Sequence, residues 1–261
     1  MRTARERGAQ NMDGRRRRRR STSAAVYIPI AALLVIFLTV YGSSAFMKII
    51  RIEVDGTSRY TRAEIVAAAG IAPGENIILV DTVSVKQRIY RELPYISFVE
   101  VTRSMPDTVI IEVRESTPLA AVSIGKRTAV IDSAGKVLRL TDAAQPDLIE
   151  VRGLPVTEAI AGSVIKVGTD DDSKLKYAIQ TLTAIEEAGL SADVTYLDIA
   201  SISNIGIDYL ERRVLLGSPE ELEDKLAELP DRIAEIEALS PGDKDGVFNM
   251  SRRPWRWEPD R

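Results

Sequence analysis

The pattern of apolar and polar positions divides this chain into one long apolar stretch followed by many short periodic segments. Residues 24–46 are 23 uncharged, mostly apolar positions, and the uncharged stretch around them extends over residues 21–47. About 20 apolar residues in a helix are enough to cross the hydrocarbon core of a bilayer. The pattern therefore predicts a single transmembrane helix over residues 24–46.

A block of arginines directly precedes this apolar stretch. It consists of Arg15, Arg16, Arg17, Arg18, Arg19 and Arg20. Arginine is costly to translocate and binds anionic lipid head groups, so the block predicts a cytoplasmic tail over residues 1–23 and an extracytoplasmic remainder. Two alternatives stay open. The arginines can form a nucleic-acid or import patch, and the apolar stretch can be a cleaved signal peptide, because Ser43 and Ala45 are small residues near its end.

The segment after residue 47 reads as a small β-α-α-β-β domain over residues 48–116. Residues 49–54 alternate apolar and charged side chains, as a half-buried strand does. Thr61 and Glu64 have the spacing of a capping box, and Asp81 is placed to cap a second helix. Two more alternating strands follow, over residues 99–102 and 109–114.

Residues 117–251 read as short strands with two helices. Strands are expected over residues 128–132, 136–140, 148–151, 194–199, 205–210, 214–217 and, as the final strand, 246–250. Asp170, Asp171 and Asp172 are expected to cap one helix, and a capping box at Ser218 with Pro219 to open the other. The leucine and isoleucine stripe of that second helix favours packing on a sheet over a coiled coil. The fold class is therefore α+β: one transmembrane helix, the β-α-α-β-β domain, then a domain with helices packed on a mainly antiparallel sheet.

Charge and composition limit the possible functions. Residues 1–20 carry a net charge of +7, so the whole-chain charge of −3 leaves −10 for the remainder. An acidic exported region is a poor electrostatic match for nucleic acid and for the outer face of an anionic membrane, and it favours protein partners. The chain contains neither cysteine nor histidine, which removes thiol nucleophiles, Ser-His-Asp triads and most zinc sites.

The remaining catalytic patterns are weak. Ser-x-x-Lys occurs at Ser123, Ser163 and Ser173, but the companion motifs of a penicillin-binding site are missing. Residues 170–172 lack the alternation of a calcium loop. A pair of carboxylates for glycan cleavage is not excluded by spacing, although nothing singles one out. We expect no catalytic site, no cofactor and no metal.

Several short motifs carry a resemblance to a known family. They are residues 52–56, Tyr60, Glu64, Ile65, Gly70, 74–77, 93–96, 99–103, 106–109, 111–115 and 117–120, with the 130–137 hairpin. In this order they resemble the POTRA domain of the FtsQ/DivIB family and its junction with a second, β-rich domain. One membrane segment followed by a single such module, without later barrel strands, fits that family.

The resemblance implies a non-catalytic bacterial cell division scaffold. Its implied partners are FtsB/DivIC-like and FtsL-like single-span proteins and other divisome components. The implied location is the cytoplasmic membrane at the division septum, with a single-pass type II topology. The alternative is a POTRA-containing export or envelope-assembly factor that binds polypeptide substrates.

The resemblance also places the partner-binding edge near the end of the β domain. Carried onto this sequence, the candidate edge is Val247, Phe248, Asn249 and Met250, helped by Arg212, Arg213 and the helix from Pro219. Trp255 and Trp257 match no motif of the family and are added as candidates because tryptophan is a favoured interface anchor. Arg212 and Arg213 are expected in a hairpin turn, and a charged residue at position 248 is expected to abolish partner binding without unfolding the domain. The tail over residues 252–261 holds both tryptophans, and it is expected either to contact a partner or to face solvent.

Overall fold

The computed structural model of the chain describes residues 27–38, 47–239, 242 and 244–259. It divides into two units, Met1–Met47 and Lys48–Arg261. In the first unit, helix α1 covers residues 27–38, and its apolar side chains are exposed. The tail over residues 1–23, its six arginines and both ends of the expected span lie outside the described residues. Among the helices that are described, none is both long and apolar enough to cross a membrane.

The second unit begins with a three-stranded sheet and two helices, which we call the first domain. Its elements are β1 (Arg51–Asp55), α2 (Arg62–Ala69), α3 (Thr82–Glu92), β2 (Ile96–Ser104) and β3 (Thr108–Glu115). Strand β3 lies in the middle of the sheet, parallel to β1 and antiparallel to β2. The β-α-α-β-β order expected from the sequence is confirmed.

Both helices of the first domain begin where the sequence predicts. The Thr61 side chain accepts the Glu64 backbone N–H, and the Glu64 carboxylate accepts the Thr61 backbone N–H, which completes a capping box. Gly70 ends the helix in the left-handed region at φ 61°. Asp81 accepts the backbone N–H groups of Val83 and Ser84 at the start of α3.

The second domain is built on a nine-stranded sheet. Its elements are β4 (Ala120–Ile124), β5 (Arg127–Ile131), β6 (Val137–Thr141), β7 (Ile149–Arg152), α4 (Asp172–Glu187), β10 (Val194–Asp198), β11 (Ile205–Tyr209), β12 (Arg212–Gly217), α5 (Leu222–Leu239), β13 (Gly246–Asn249) and β14 (Arg256–Pro259), with β8 (Val156–Glu158) and β9 (Lys166–Val167) as a separate pair. The strand order is β14-β13-β12-β11-β10-β7-β4-β5-β6. Five of the eight neighbouring pairs are antiparallel, as expected, and the β4–β7, β7–β10 and β12–β13 pairs are parallel.

The apolar stripe of α5 belongs to the core of the second domain. Leu226 and Leu229 are fully buried, and Leu222 and Ile233 nearly so. These residues pack in one cluster with the strands and with α4. The interpretation of the stripe as core packing, rather than as a coiled coil, is confirmed, and Pro230 lies inside the helix.

Helix α5 begins later than the sequence suggested. The expected capping box at Ser218 does not open the helix, because Glu221 has a φ of 56°, which a right-handed helix does not allow. The buried Lys225 ammonium donates instead to the carbonyls of Leu216, at 2.7 Å, and Ser218, at 3.3 Å. This contact holds the corner between β12 and α5 and places the helix start at Leu222.

The acids before α4 also behave differently from the expectation. Asp171 occupies the N-cap position, but its side chain makes no capping hydrogen bond. Its carboxylate pairs with the Lys174 ammonium at 3.0 Å, and residues Thr169–Asp171 form a 3-10 turn that leads into the helix. The acid at the helix start therefore acts through charge, not as a cap.

The turn between β5 and β6 joins the two domains. The Lys136 ammonium donates to the Ile96 carbonyl at the start of β2, at 2.6 Å, and lies 5.2 Å from the centre of the Tyr90 ring. Asp132 accepts the Ser116 hydroxyl at 2.8 Å and the Lys136 backbone N–H at 2.9 Å. Burial lowers the pKa of Lys136, while the Asp132 charge opposes that shift.

Candidate partner-binding surface

Strand β13 has a neighbour on each edge. It pairs parallel to β12, with Val214 beside Phe248, and antiparallel to β14, with Phe248 beside Trp257. The expectation that residues 246–250 form the final strand is wrong, because residues Arg256–Pro259 add one more strand. The sheet thus extends past residue 251, where the sequence placed the end of the second domain.

The expected acceptor residues on β13 belong largely to the core. Phe248 is 3% exposed and Met250 is fully buried, whereas Val247 and Asn249 are half-buried. Burying a charge at position 248 without a partner is strongly unfavourable. A charged substitution there is therefore expected to unfold this end of the sheet, contrary to the expectation from sequence.

The two tryptophans pack against the core. Trp255 and Trp257 are both half-buried and contact the buried cluster of the second domain. The Trp257 ring lies across Gly246, where a Cβ atom would come within 2.6 Å of it. The indole Nε1–H of Trp257 is buried without an acceptor among the described residues. Residues 256–259 therefore form a strand of the sheet, and the side chains of Trp255 and Trp257 do not simply face solvent, whereas those of Arg256 and Glu258 are exposed.

Strand β14 has a free edge whose chemistry follows from the hydrogen-bond pattern of β13. The Met250 N–H donates to the Leu215 carbonyl on β12 at 2.8 Å. Successive residues of a strand direct their backbone N–H and C=O groups to opposite edges, so those of Val247 and Asn249 face β14. Their partners on β14 are Glu258 and Arg256. Trp257 lies between these two residues and therefore directs its own N–H and C=O away from β13, toward the free edge. No other strand in the described part of the chain pairs with that edge.

A groove of about 720 Å³ lies beside β14, on the face of the sheet that α5 covers. It is lined by Arg232, Glu235, Ile236, Leu239, Phe248, Arg253, Pro254, Trp255 and Trp257. Leu239 is 84% exposed. The Arg253 guanidinium stacks on the Trp255 ring at 4.5 Å and pairs with Glu228 at 3.4 Å. The groove is thus apolar at its base and charged at its rim.

The two arginines expected in a hairpin turn lie in β12 instead. The turn is made by Leu210 and Glu211, whose φ angles are 52° and 63°. Arg212 is buried and pairs with Glu237 on α5, while its Nε–H has no acceptor among the described residues. Arg213 is exposed on the strand. Of this pair, only Arg213 presents its side chain to solvent.

The sequence indicated that the helix after Pro219, which is α5, helps this surface, but it did not indicate which residues of the helix do so. Ile236 and Leu239 continue the apolar stripe beyond its buried part, so the stripe itself was the available signal. Gly246 was read only as the start of a strand, and its role beside Trp257 depends on a contact between two strands. No local pattern reports such a contact.

The described residues contain no group of three or more acidic side chains placed to hold a metal ion. Lys166, which belongs to one of the three Ser-x-x-Lys patterns, has its ammonium 3.1 Å from a Glu158 carboxylate oxygen. The chemistry that the structure does display at the end of the sheet is main-chain hydrogen bonding and apolar contact.

The β-α-α-β-β domain followed by a β-rich domain defines a POTRA-containing protein of the α+β class. Residues 47–116 match the model of the FtsQ-type POTRA domain. The cell division protein FtsQ of Streptomyces collinus is 32% identical over 184 residues, which are 57% of this chain and 69% of that protein. The chain therefore belongs to the FtsQ/DivIB family of cell division proteins.

Other relatives align over more of the chain. FtsQ of Streptomyces coelicolor is 28% identical over 84% of this chain and 86% of that protein. DivIB of Clostridium tetani is 22% identical over 84% of this chain and 82% of that protein. The extracytoplasmic domain of DivIB from Geobacillus stearothermophilus superposes with a TM-score of 0.30 at 13% identity, covering 48% of this chain and 96% of that domain.

Proposed function

We propose that this protein is a non-catalytic scaffold of bacterial cell division that binds other membrane proteins of the division machinery. The observation that supports this proposal most directly is a sheet whose last strand, β14, leaves one edge free beside an apolar groove. Membership of the FtsQ/DivIB family indicates that the cellular process is cell division. The expected partners are single-span proteins of the FtsB/DivIC and FtsL types.

We propose that residues 24–46 anchor the protein in the cytoplasmic membrane. Their length and apolar composition fit one bilayer span. The arginine block at residues 15–20 favours a cytoplasmic N-terminus, so that residues after 47 lie outside. The protein would act at the division septum, where its partners assemble.

The proposed docking mode is addition of a partner strand to β14. Main-chain hydrogen bonds supply affinity in this mode, and pockets for alternate side chains supply selectivity. The Trp257 N–H and C=O offer the hydrogen bonds, and the groove between Leu239 and Trp255 offers a place for an apolar side chain. Among the residues expected from sequence, Trp255 and Trp257 form this surface, whereas Val247 and Asn249 support it from the neighbouring strand.

Two substitutions at one position test this docking mode. Trp257→Leu removes the indole but keeps the backbone N–H, whereas Trp257→Pro removes both. Proline fits an edge strand when its missing N–H faces outward, so β14 should still pair with β13. We expect the proline variant to co-purify with much less FtsB-type partner than the leucine variant does. Circular dichroism and thermal melting of both full-length proteins check that the fold is kept.

Equal partner recovery with the two variants would count against strand addition at β14. Site-specific crosslinking from position 256 or 258 then identifies the surface that is used instead.

The division role has its own test, because depletion should give filamentous cells without septa and a tagged copy should concentrate at midcell. Normal septation with a defect in protein export would instead favour the envelope-assembly alternative.

A further inference from the structure

The end of the first domain where β1 begins exposes four large apolar side chains. Ile50 is 67% exposed, Ile78 48%, Leu79 80% and Met105 52%. We call these four residues the β1-start patch. Exposed apolar clusters of this kind mark interaction surfaces, because removing apolar side chains from water lowers the free energy.

Backbone contacts bring the members of the patch together from three separate segments. The Ile50 N–H donates to the carbonyl of Asp107, two residues after Met105, at 2.8 Å. The Arg103 guanidinium donates to the Ile78 carbonyl at 3.1 Å. The start of β1, the 3-10 turn at Ile77–Leu79 and the β2–β3 turn therefore meet at one end of the sheet.

The second domain lies at the opposite end of the same sheet. Strand β3 begins with Thr108, beside the patch, and ends with Glu115, where the chain passes into the second domain. Its eight residues span roughly 27 Å. The β1-start patch is thus far from the junction that Lys136 makes with Ile96.

We infer that the β1-start patch inserts into the outer leaflet of the membrane, at the boundary between head groups and acyl chains. This inference rests on the membrane anchor proposed above. Ile50 comes four positions after residue 46, the end of the proposed span, and an extended chain covers at most about 14 Å over four positions. The patch is therefore kept within reach of the bilayer surface by the covalent chain itself.

The charges around the patch fit a lipid surface. Lys48, Arg51 and Arg103 are exposed beside it, and the nearby acids are Glu75 and Asp107, of which Asp107 lies 3.8 Å from the Arg51 guanidinium. These five side chains leave a local charge of +1, although the exported region as a whole is acidic. Basic side chains next to apolar ones favour binding to anionic head groups, because the apolar groups enter the interface while the cations remain among the phosphates. A lipid interface also accepts separate apolar side chains from several turns without requiring a shaped groove. A membrane-embedded protein partner is the competing occupant.

Insertion would hold the first domain against the membrane and thereby limit the tilt of β3. Since the second domain is fixed to the other end of this sheet, the patch would also limit how far from the membrane surface β14 lies when it meets its partners. The patch is thus proposed as a second membrane contact in addition to the transmembrane anchor.

The absence of cysteine allows a direct test on the full-length protein. Leu79→Cys, Met105→Cys and, as a matched control on the second domain, Ile160→Cys each receive an environment-sensitive fluorophore. Ile160 is 54% exposed, similar to Met105. The labelled proteins are reconstituted alone into phosphatidylcholine and phosphatidylglycerol vesicles, with or without nitroxide-bearing lipid. A further label at Leu34→Cys reports on the anchor.

We expect the labels at positions 79 and 105 to lose about half of their emission to nitroxide lipid, while the label at position 160 is unaffected. If positions 79 and 105 behave like position 160 while position 34 is quenched, the anchor stands and the lipid contact is refuted. A change in the emission of the labels at positions 79 and 105 that appears only after partner proteins are added also refutes the lipid contact, in favour of a protein contact. Absence of quenching at position 34 would refute the anchor itself.

Discussion

At the scale of single residues, Glu115 shows how one carboxylate can hold a loop. It accepts the Thr57 hydroxyl at 2.7 Å and the backbone N–H groups of Ser58 and Arg59, each at 2.6 Å. These bonds, the one from Arg59 first, lower the pKa of Glu115 from 4.5 to about 2. The charged carboxylate therefore ties residues 57–59 to the end of β3, next to the domain junction.

This contact predicts a pH dependence of stability. Because the folded-state pKa of Glu115 is below its unfolded value, the stabilisation is complete above pH 4.5 and is lost as the pH falls toward about 2. Glu115→Gln should lower the melting temperature at neutral pH and reduce its change across that acidic range. Glu112→Gln, on the solvent face of the same strand, makes the same change in charge and is the control. Identical pH profiles for the two variants would contradict the assignment.

Gly246 gives a second prediction at this scale. A methyl group there would meet the Trp257 ring at 2.6 Å and the Glu258 carbonyl at 2.9 Å. Gly246→Ala should destabilise the β13–β14 pair by about 1–3 kcal/mol, because overpacking forces the ring to move. Both tryptophans of the chain lie in this segment, so their fluorescence reports on it directly during urea unfolding.

Gly206→Ala on β11 is the matched control for that substitution. The nearest atom to a Cβ there is the Val214 carbonyl oxygen at 3.6 Å, an ordinary contact distance. The control should leave the tryptophan emission of the native state unchanged. A shift of equal size in both variants would mean that the effect is not specific to the Trp257 contact.

At the scale of elements, the β5–β6 turn connects two sheets that share no strand. Lys136 supplies the connecting hydrogen bond to Ile96, and Asp132 orders the turn from which Lys136 projects. Loss of the Lys136 side chain would leave a buried carbonyl without its donor, which costs about 1–3 kcal/mol. The link is thus a determinant of how rigidly the two domains move together.

Lys136→Ala should therefore lower the stability of the full-length protein and increase hydrogen exchange at the start of β2 and in the β5–β6 turn. Lys126→Ala, in the exposed β4–β5 turn, removes the same side chain without touching the junction. Hydrogen exchange followed by mass spectrometry compares the two variants in detergent. Unchanged exchange at both sites in the Lys136 variant would show that other contacts hold the junction.

At the scale of the whole molecule, the arginine block is expected to determine the orientation of the chain in the membrane. Replacing residues 15–20 by glutamine should leave a fraction of molecules inverted, whereas replacement by lysine should preserve the orientation. A unique cysteine introduced as Ala9→Cys reports the outcome through a membrane-impermeant thiol reagent on intact cells. Full protection of position 9 in the glutamine variant would argue against this role.

The local features of the first domain were predictable because their signals lie close together in sequence. Thr61 and Glu64 are three residues apart and bond to each other, and Asp81 caps the helix that follows it directly. The start of α5 was not predictable in the same way. It depends on the Lys225 ammonium reaching back to two carbonyls at the end of β12, an arrangement that competes with the local capping signal at Ser218.

The sequence by itself determined the order of elements, the α+β class, the expected membrane span and the family resemblance, because each follows from hydrophobic period, length or motif. Only the tertiary structure decided which strand ends the sheet. Residues 256–259 are too few and too polar to predict a strand, and they become one because β13 offers hydrogen bonds and Gly246 leaves space for Trp257. The candidate docking edge thus arises from pairing between segments, which no single stretch of sequence encodes.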